Sequence, residues 1–283
     1  MEIKKLGVLG CGQMGSGIAQ VFAQSGYEVI AVDSSEQMLE KGLKGIDKRL
    51  AGRVEKGKLT QAEKDTIMVR IKSSTKLEDL RDCDLIEEAV PEDLELKKKV
   101  FVQLDRICKG DTILGTNTSG LSVTDMAAAT KRPDKLLGMH FHNPAPVMQL
   151  LELVRTIMTS EETIETVKKW GATLGKTVVV APDVGGFIVT RLFTPFLLGA
   201  VSMLEAGIAT RDEIDTSMKL AVNHPMGPLE VIDFIGLDTE LSIAETLYEE
   251  TKDLKYAPPL LLRKMVTAGW LGRKTGKGFY EYK

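Results

Sequence analysis

Cysteine is scarce in this chain: Cys11, Cys83 and Cys108 are the only three. An odd, widely spaced set cannot form a fully paired disulfide framework, and it matches no zinc-binding spacing. The expectation is reduced thiols, no bound metal and a cytoplasmic protein. Histidine is equally rare, with His140, His142 and His224, so few side chains can exchange a proton near neutral pH. Long apolar runs are missing too. The most apolar stretch, residues 187–204, is interrupted by Arg191 and Pro195 and makes a poor membrane span. The opening MEIKKLGVLG runs straight into strand-like sequence, without the charged-then-apolar order of a secretory signal. Positive charge is not in excess: the net charge of -3 argues against a nucleic-acid partner. There is no internal repeat and no low-complexity segment.

What is present is a globular composition. The 283 residues are 43% hydrophobic and 27% charged, enough for one large core or two smaller ones. Through the first part of the chain, short apolar runs alternate with amphipathic stretches. Residues 6–9, 29–32, 85–89, 113–116, 136–140, 150–154 and 177–181 read as strands, and 15–24, 36–55 and 61–70 as helices. Such alternation implies a mostly parallel sheet covered on both faces. From Phe187 onward the periodicity is helical, with helices expected over 211–221, 239–251 and 259–268. The paired glycines Gly185 and Gly186 punctuate the change. The expected architecture is α/β: a Rossmann-type domain over 1–184, followed by an all-helical domain over 185–283.

Gly10-Cys11-Gly12-Gln13-Met14-Gly15 is a G-x-G-x-x-G that follows the first strand and opens a helix. That context makes it a dinucleotide fingerprint. Gly10 permits the tight turn, Gly12 lets the backbone approach a pyrophosphate, and Gly15 lets helix pack on strand. The helix N-terminus then offers free N–H groups to the phosphates. Asp33 closes the second strand, where a carboxylate takes the adenosine ribose. It would repel a 2′-phosphate, and Ser34 and Ser35 bring no cation to hold one, so the expected cofactor is NAD rather than NADP.

His140 stands at the end of a predicted strand, where ligands of open α/β sheets bind. It is the candidate base for an alcohol whose proton leaves as its hydride departs. Glu152, flanked by leucines in the next run, is either its partner or a residue on the exposed face of an edge strand. The loop Thr116-Asn117-Thr118-Ser119-Gly120 follows another strand. Its polar groups could hold a substrate oxygen, or Ser119 or Ser122 could merely cap the next helix. His224, in a Pro- and Gly-rich turn, reads as structural.

The stretches GCGQMGSGIAQ, NTSGLSVTDMA, GMHFHNPAPVMQLLEL, GGFIVTRLFTPF, NHPMGPLEVIDFIGLD and GWLGRKTGKGFYEY, in this order, carry a resemblance that spans the chain. It resembles the short-chain L-3-hydroxyacyl-CoA dehydrogenase family, in particular its bacterial 3-hydroxybutyryl-CoA dehydrogenases. The resemblance implies that His140 is the catalytic base, that Glu152 orients it, and that Ser119 meets the substrate oxygen beside the nicotinamide. It places Glu92, Lys97, Asn117, Asn143 and Lys274 near the cofactor. Lys56 becomes the preferred contact for the phosphates of coenzyme A, within a basic stretch holding Lys41, Lys44, Lys48, Arg49, Arg53 and Lys58. A homodimer through the helical domain is also implied.

The chain departs from the family pattern at several points. Thr190 stands for a usual asparagine that helps position substrate, and His142 for a phenylalanine. Gly199 stands for a glutamate, Gly185 for a proline, and Gly52 for a lysine of clostridial relatives. The implied activity is interconversion of (S)-3-hydroxyacyl-CoA and 3-oxoacyl-CoA with NAD(H). The departures keep open an NAD-dependent dehydrogenase of another 3-hydroxy acid, or an NAD-binding homologue with impaired catalysis.

Overall fold

The structure is a computed structural model and describes residues 2–282. The chain folds as two compact units, Met1–Val184 and Gly185–Lys283.

The first unit is a sheet of eight strands in the order β3-β2-β1-β4-β5-β6-β7-β8. The strands are β1 (Lys5–Leu9), β2 (Glu28–Val32), β3 (Ile71–Ser74), β4 (Leu85–Glu88), β5 (Ile113–Thr116), β6 (Leu136–Phe141), β7 (Leu150–Arg155) and β8 (Thr177–Pro182). All neighbours are parallel except β6 and β7, which run antiparallel. Helices α1 (Gln13–Gln24), α2 (Glu36–Glu55), α3 (Gln61–Val69), α4 (Leu94–Ile107), α5 (Val123–Ala128) and α6 (Glu161–Thr173) make the crossovers and flank the sheet. Strand order reverses between β1 and β4, the switch point at which open α/β sheets bind ligands.

Alternation along the strands separates two environments. Leu6, Val8, Leu85, Leu137, Met139, Phe141, Leu151 and Leu153 face one core together with Ile18 and Phe22 of α1 and Val167 and Trp170 of α6. Phe22 meets Phe141 and Trp170 edge-on, with centroids 6.0 Å and 5.2 Å away. This anchors the odd-numbered residues of β6 and turns the even-numbered ones, His140 among them, to the opposite face.

Strand β3 was not among the expected strands. Its sequence Ile71-Lys72-Ser73-Ser74 has one buried apolar residue, and it pairs only with β2. An edge strand this short shows almost no hydrophobic period. Arg49 also differs from expectation. It turns away from the basic face of α2 and donates to Gln20 Oε1 at 2.7 Å on α1.

The second unit holds α7 (Val189–Glu205), α8 (Arg211–Ala221), α9 (Pro228–Ile235), α10 (Leu237–Thr251) and α11 (Leu260–Thr267) around Leu197, Val201, Ile214, Leu229, Ile232 and Leu262. Asp233 accepts the N–H groups of Phe279 and Tyr280 and the hydroxyl of Tyr282, which pins the C-terminal segment to α9. Gly185 is where the family pattern has proline. Its N–H, which proline lacks, donates to Glu250 at 2.9 Å, and a β-carbon there would lie 1.9 Å from that carboxylate. Gly52 and Gly199 face open space, and nothing in the structure explains either. Among the described residues, no helix is long and apolar enough to cross a membrane.

Candidate active site

The carboxyl ends of β1, β2, β4, β5 and β6 bring together most of the residues singled out in residues 1–184. At the end of β1 the chain turns at Gly10, whose φ of 96° belongs to the left-handed region. A β-carbon there would lie 2.6 Å from the carbonyl oxygen of Ala89. Gly15, in the first turn of α1, sits so close to Gly10 that a β-carbon would fall 1.8 Å from the Gly10 oxygen. Gly12 is different: a β-carbon would meet nothing within 4 Å, and as N-cap of α1 it supplies no side-chain acceptor. The head of α1 therefore offers open backbone N–H groups and the positive end of a helix dipole, which fits a pyrophosphate.

Asp33 follows β2 and braces this loop. Its carboxylate accepts from Cys11 N at 2.8 Å and from Ser35 N at 3.0 Å. Ser35 in turn caps α2 by accepting from Met38 N. No cationic side chain stands beside Asp33 in this turn, which suits a ribose with free hydroxyls. Burial pushes the thiol of Cys11 up to about 12, so it is an inert part of the loop.

The catalytic candidates lie across the β6–β7 pair. His140 and Glu152 are direct cross-strand partners in that antiparallel register. Nδ1 of His140 lies 2.8 Å from Glu152 Oε2, and Glu152 is fully buried. A carboxylate accepts, so Nδ1 carries the proton and the lone pair sits on Nε2. That Nε2 lies 3.2 Å from Ser119 Oγ. Burial pushes the His140 imidazole below its ordinary value of 6.5, against the hydrogen bond that it donates to Glu152, so the ring is a neutral base at physiological pH. Ser122 supplies the N-cap of α5, accepting from Asp125 N, while Ser119 faces His140.

The surrounding residues hold this line in place. Asn117 accepts the N–H of Phe141 at 2.9 Å, tying the end of β5 to β6. Gln13 donates to Asn143 Oδ1 at 3.2 Å, joining the fingerprint loop to the segment after β6. Glu92 accepts from the hydroxyl of Thr118 and from Ser119 N, and so fixes the serine loop. Lys97 is fully buried. Its ammonium sits 2.6 Å from Glu88 and 3.6 Å from Glu92, inside the protein rather than projecting from it.

Glu88 is the residue that reading the sequence missed. It ends β4 and accepts from Lys97, Thr116 Oγ1 and Val90 N, which locks three segments of the site to one carboxylate. Burial pushes its carboxyl up, and Lys97 and these donors pull against that shift. An acid closing a buried strand was the available signal, the same one that marked Asp33.

Lys56 is exposed at the C-cap of α2, close in sequence to the exposed Lys41, Lys48 and Lys58. Thr190 and Lys274 belong to the second unit. Thr190 lies in the first turn of α7, and Lys274 binds both oxygens of Asp238, at 2.5 and 2.7 Å. His224 there packs edge-on against Phe196, with centroids 5.4 Å apart.

Comparison with known proteins gives a consistent set. The model of the 3-hydroxyacyl-CoA dehydrogenase NAD binding domain matches residues 5–184, and that of the 3-hydroxyacyl-CoA dehydrogenase C-terminal domain matches 186–282. A probable 3-hydroxybutyryl-CoA dehydrogenase of Bacillus subtilis is 48% identical over 282 residues, covering 100% of this chain and 98% of the relative. A 3-hydroxybutyryl-CoA dehydrogenase of Clostridioides difficile is 48% identical over 278 residues, covering 98% and 99%. Among solved structures, the (S)-3-hydroxybutyryl-CoA dehydrogenase of Ralstonia eutropha superposes with a TM-score of 0.96 at 44% identity, with both chains covered completely.

Proposed function

The chain belongs to the 3-hydroxyacyl-CoA dehydrogenase family, and from that premise we propose that it interconverts (S)-3-hydroxybutyryl-CoA and acetoacetyl-CoA with NAD(H). The observation that carries the reading is the line Ser119 Oγ, His140 Nε2, His140 Nδ1, Glu152 Oε2, set at the strand ends of a dinucleotide fold.

Each group has a task. In oxidation, Nε2 of neutral His140 accepts the proton of the substrate hydroxyl. Glu152 stabilises the imidazolium that results, and the Ser119 hydroxyl donates to the oxygen as it becomes a carbonyl. Reduction reverses these steps. Bound NAD supplies the hydride acceptor. The backbone of Gly10, Cys11, Gly12, Gln13, Met14 and Gly15 would hold its pyrophosphate, and Asp33 its ribose. Glu92, Lys97 and Asn117 keep the serine loop and the end of β6 in register, and Asn143 ties that end to the fingerprint loop. Thr190 and Lys274 are assigned to substrate and cofactor by family position.

Acetoacetyl-CoA with NADH tests the function directly. Rapid NADH consumption is expected, with little consumption of NADPH. Absence of turnover while NADH still binds would reject the substrate and favour another 3-hydroxy acid. Lys56 tests the coenzyme A part. Its flexible point charge suits a phosphate. Lys56→Ala should raise KM for acetoacetyl-CoA about three- to tenfold at low ionic strength, and added salt should shrink the difference. A salt-independent change would assign Lys56 no phosphate.

The exposed apolar side chains Leu192, Ile208 and Leu220 in the helical unit support a homodimer. Three buried free cysteines are consistent with a cytoplasmic setting.

A further inference from the structure

The oxygen that orients His140 has a second imidazole against it. Strand pleating puts residues 138, 140 and 142 on one face, so His142, one residue beyond β6, projects beside His140. The two rings lie 4.4 Å apart between centroids, inclined by 54°. Nε2 of His142 is 3.2 Å from Glu152 Oε2, the same atom that takes the Nδ1 proton of His140 at 2.8 Å. The His142 contact lacks the alignment of a hydrogen bond, so it works through charge and dipole. Glu152 is fully buried, and water screens this contact little.

One carboxylate carries one negative charge. Devoted to a single imidazole, it supports the charged form of that ring. Shared between two, it supports each less, and a proton on one ring opposes a proton on the other. The ring of His142 is partly exposed and that of His140 is buried. The ionisable groups acting on His140 come from three places: Glu152 on β7, Glu92 after β4, and His142 at its own strand end. The two acids favour a charged His140, while burial and His142 oppose it.

We propose that His142 is a positioning residue that competes with His140 for Glu152 and so holds His140 in the neutral form that accepts a substrate proton. The inference rests on the reading of His140 as the base. It adds a direction. Oxidation needs neutral His140 and reduction needs the charged form, so His142 extends oxidation toward lower pH and makes reduction decline sooner as pH rises.

The chain has three histidines, so NMR titration of the imidazole resonances can follow each one, with His224 as reference. In His142→Phe, which keeps a ring of similar size, the midpoint of His140 should rise by about one pH unit. That of His224 should stay in place. The acid limb of kcat/KM for oxidation of (S)-3-hydroxybutyryl-CoA should rise by the same amount. An unmoved His140 midpoint overturns the proposal. So does a uniform loss of kcat with the limb in place, since that is the mark of a merely structural role. A shifted midpoint in a protein that turns over no 3-hydroxyacyl-CoA would keep the inference and reject the function. If the phenylalanine variant does not fold, His142→Gln carries the same test, because glutamine cannot take a charge.

Discussion

His140→Ala should reduce kcat for both directions by about 10²–10⁴-fold while leaving the dissociation constant for NADH within a few-fold of the native value. The split follows from where the residue sits. His140 Nε2 points at Ser119 Oγ, whereas the cofactor loop turns on Gly10 and Gly15 and is braced by Asp33 through Cys11 N and Ser35 N. Alanine leaves Glu152 with the His142 ring 3.2 Å from Oε2, so the buried carboxylate is not stranded and the fold should hold. Single-turnover kinetics together with NADH fluorescence titration check both halves. Full retention of turnover would remove His140 from the chemistry. Parallel loss of NADH binding would mean that the strand end had collapsed.

The same geometry fixes the pH dependence. Burial holds His140 below 6.5, so the base is available to oxidation below the pH at which a solvated histidine would already be charged. The acid limb of kcat/KM for oxidation should therefore lie under 6.5 in the native enzyme.

Some of this site could be read from the sequence because it depends on local chemistry. G-x-G-x-x-G between a strand and a helix is a local pattern, and so is an aspartate at a strand end. His140 was legible for the same reason, at the end of an apolar run. The pairing of His140 with Glu152 was not. It needs the β6–β7 register, set by the intervening segment, and a shift of one residue would have put Glu152 on the opposite face. Two alternatives therefore stood open for Glu152. Glu88 stayed hidden because its partners come from β5, α4 and the turn after β4, and nothing in Leu85-Ile86-Glu87-Glu88 says which acid faces which helix. Strand β3 was missed because an edge strand with a single buried apolar residue has no period to detect. Arg49 was counted with the exposed basic face because helical spacing alone does not say that a long side chain will fold back onto α1.

Glu87 yields the second large effect. It neighbours Glu88 on β4 but faces the other way, into the core formed with α1 and α6. It is fully buried, and neither carboxyl oxygen has a hydrogen-bond partner. Gly115 is its cross-strand neighbour on β5, and the carboxyl occupies the space that a β-carbon at residue 115 would take, 2.3 Å from Oε2. The packing accepts the shape of this side chain and gives its charge no hydrogen bond, and the pull of nearby Lys97 toward the ionised form is outweighed by burial. Burial pushes the carboxyl well above its ordinary 4.5, and nearby Glu88 adds to the rise. The folded state therefore holds a proton that the unfolded state releases. The sign follows from linkage. Stability from this group is complete below about pH 4.5 and falls as pH rises toward the raised folded value, by roughly 1 kcal/mol per pH unit in that window. Glu87→Met keeps the length of the side chain and removes the ionisable group. It should stabilise the protein at pH 7 by about 1–4 kcal/mol and flatten the decline in stability between mildly acidic and neutral pH. Urea unfolding of both proteins across that pH range checks the difference. Parallel stability curves, with no convergence toward acid pH, would mean that Glu87 is not a buried neutral acid.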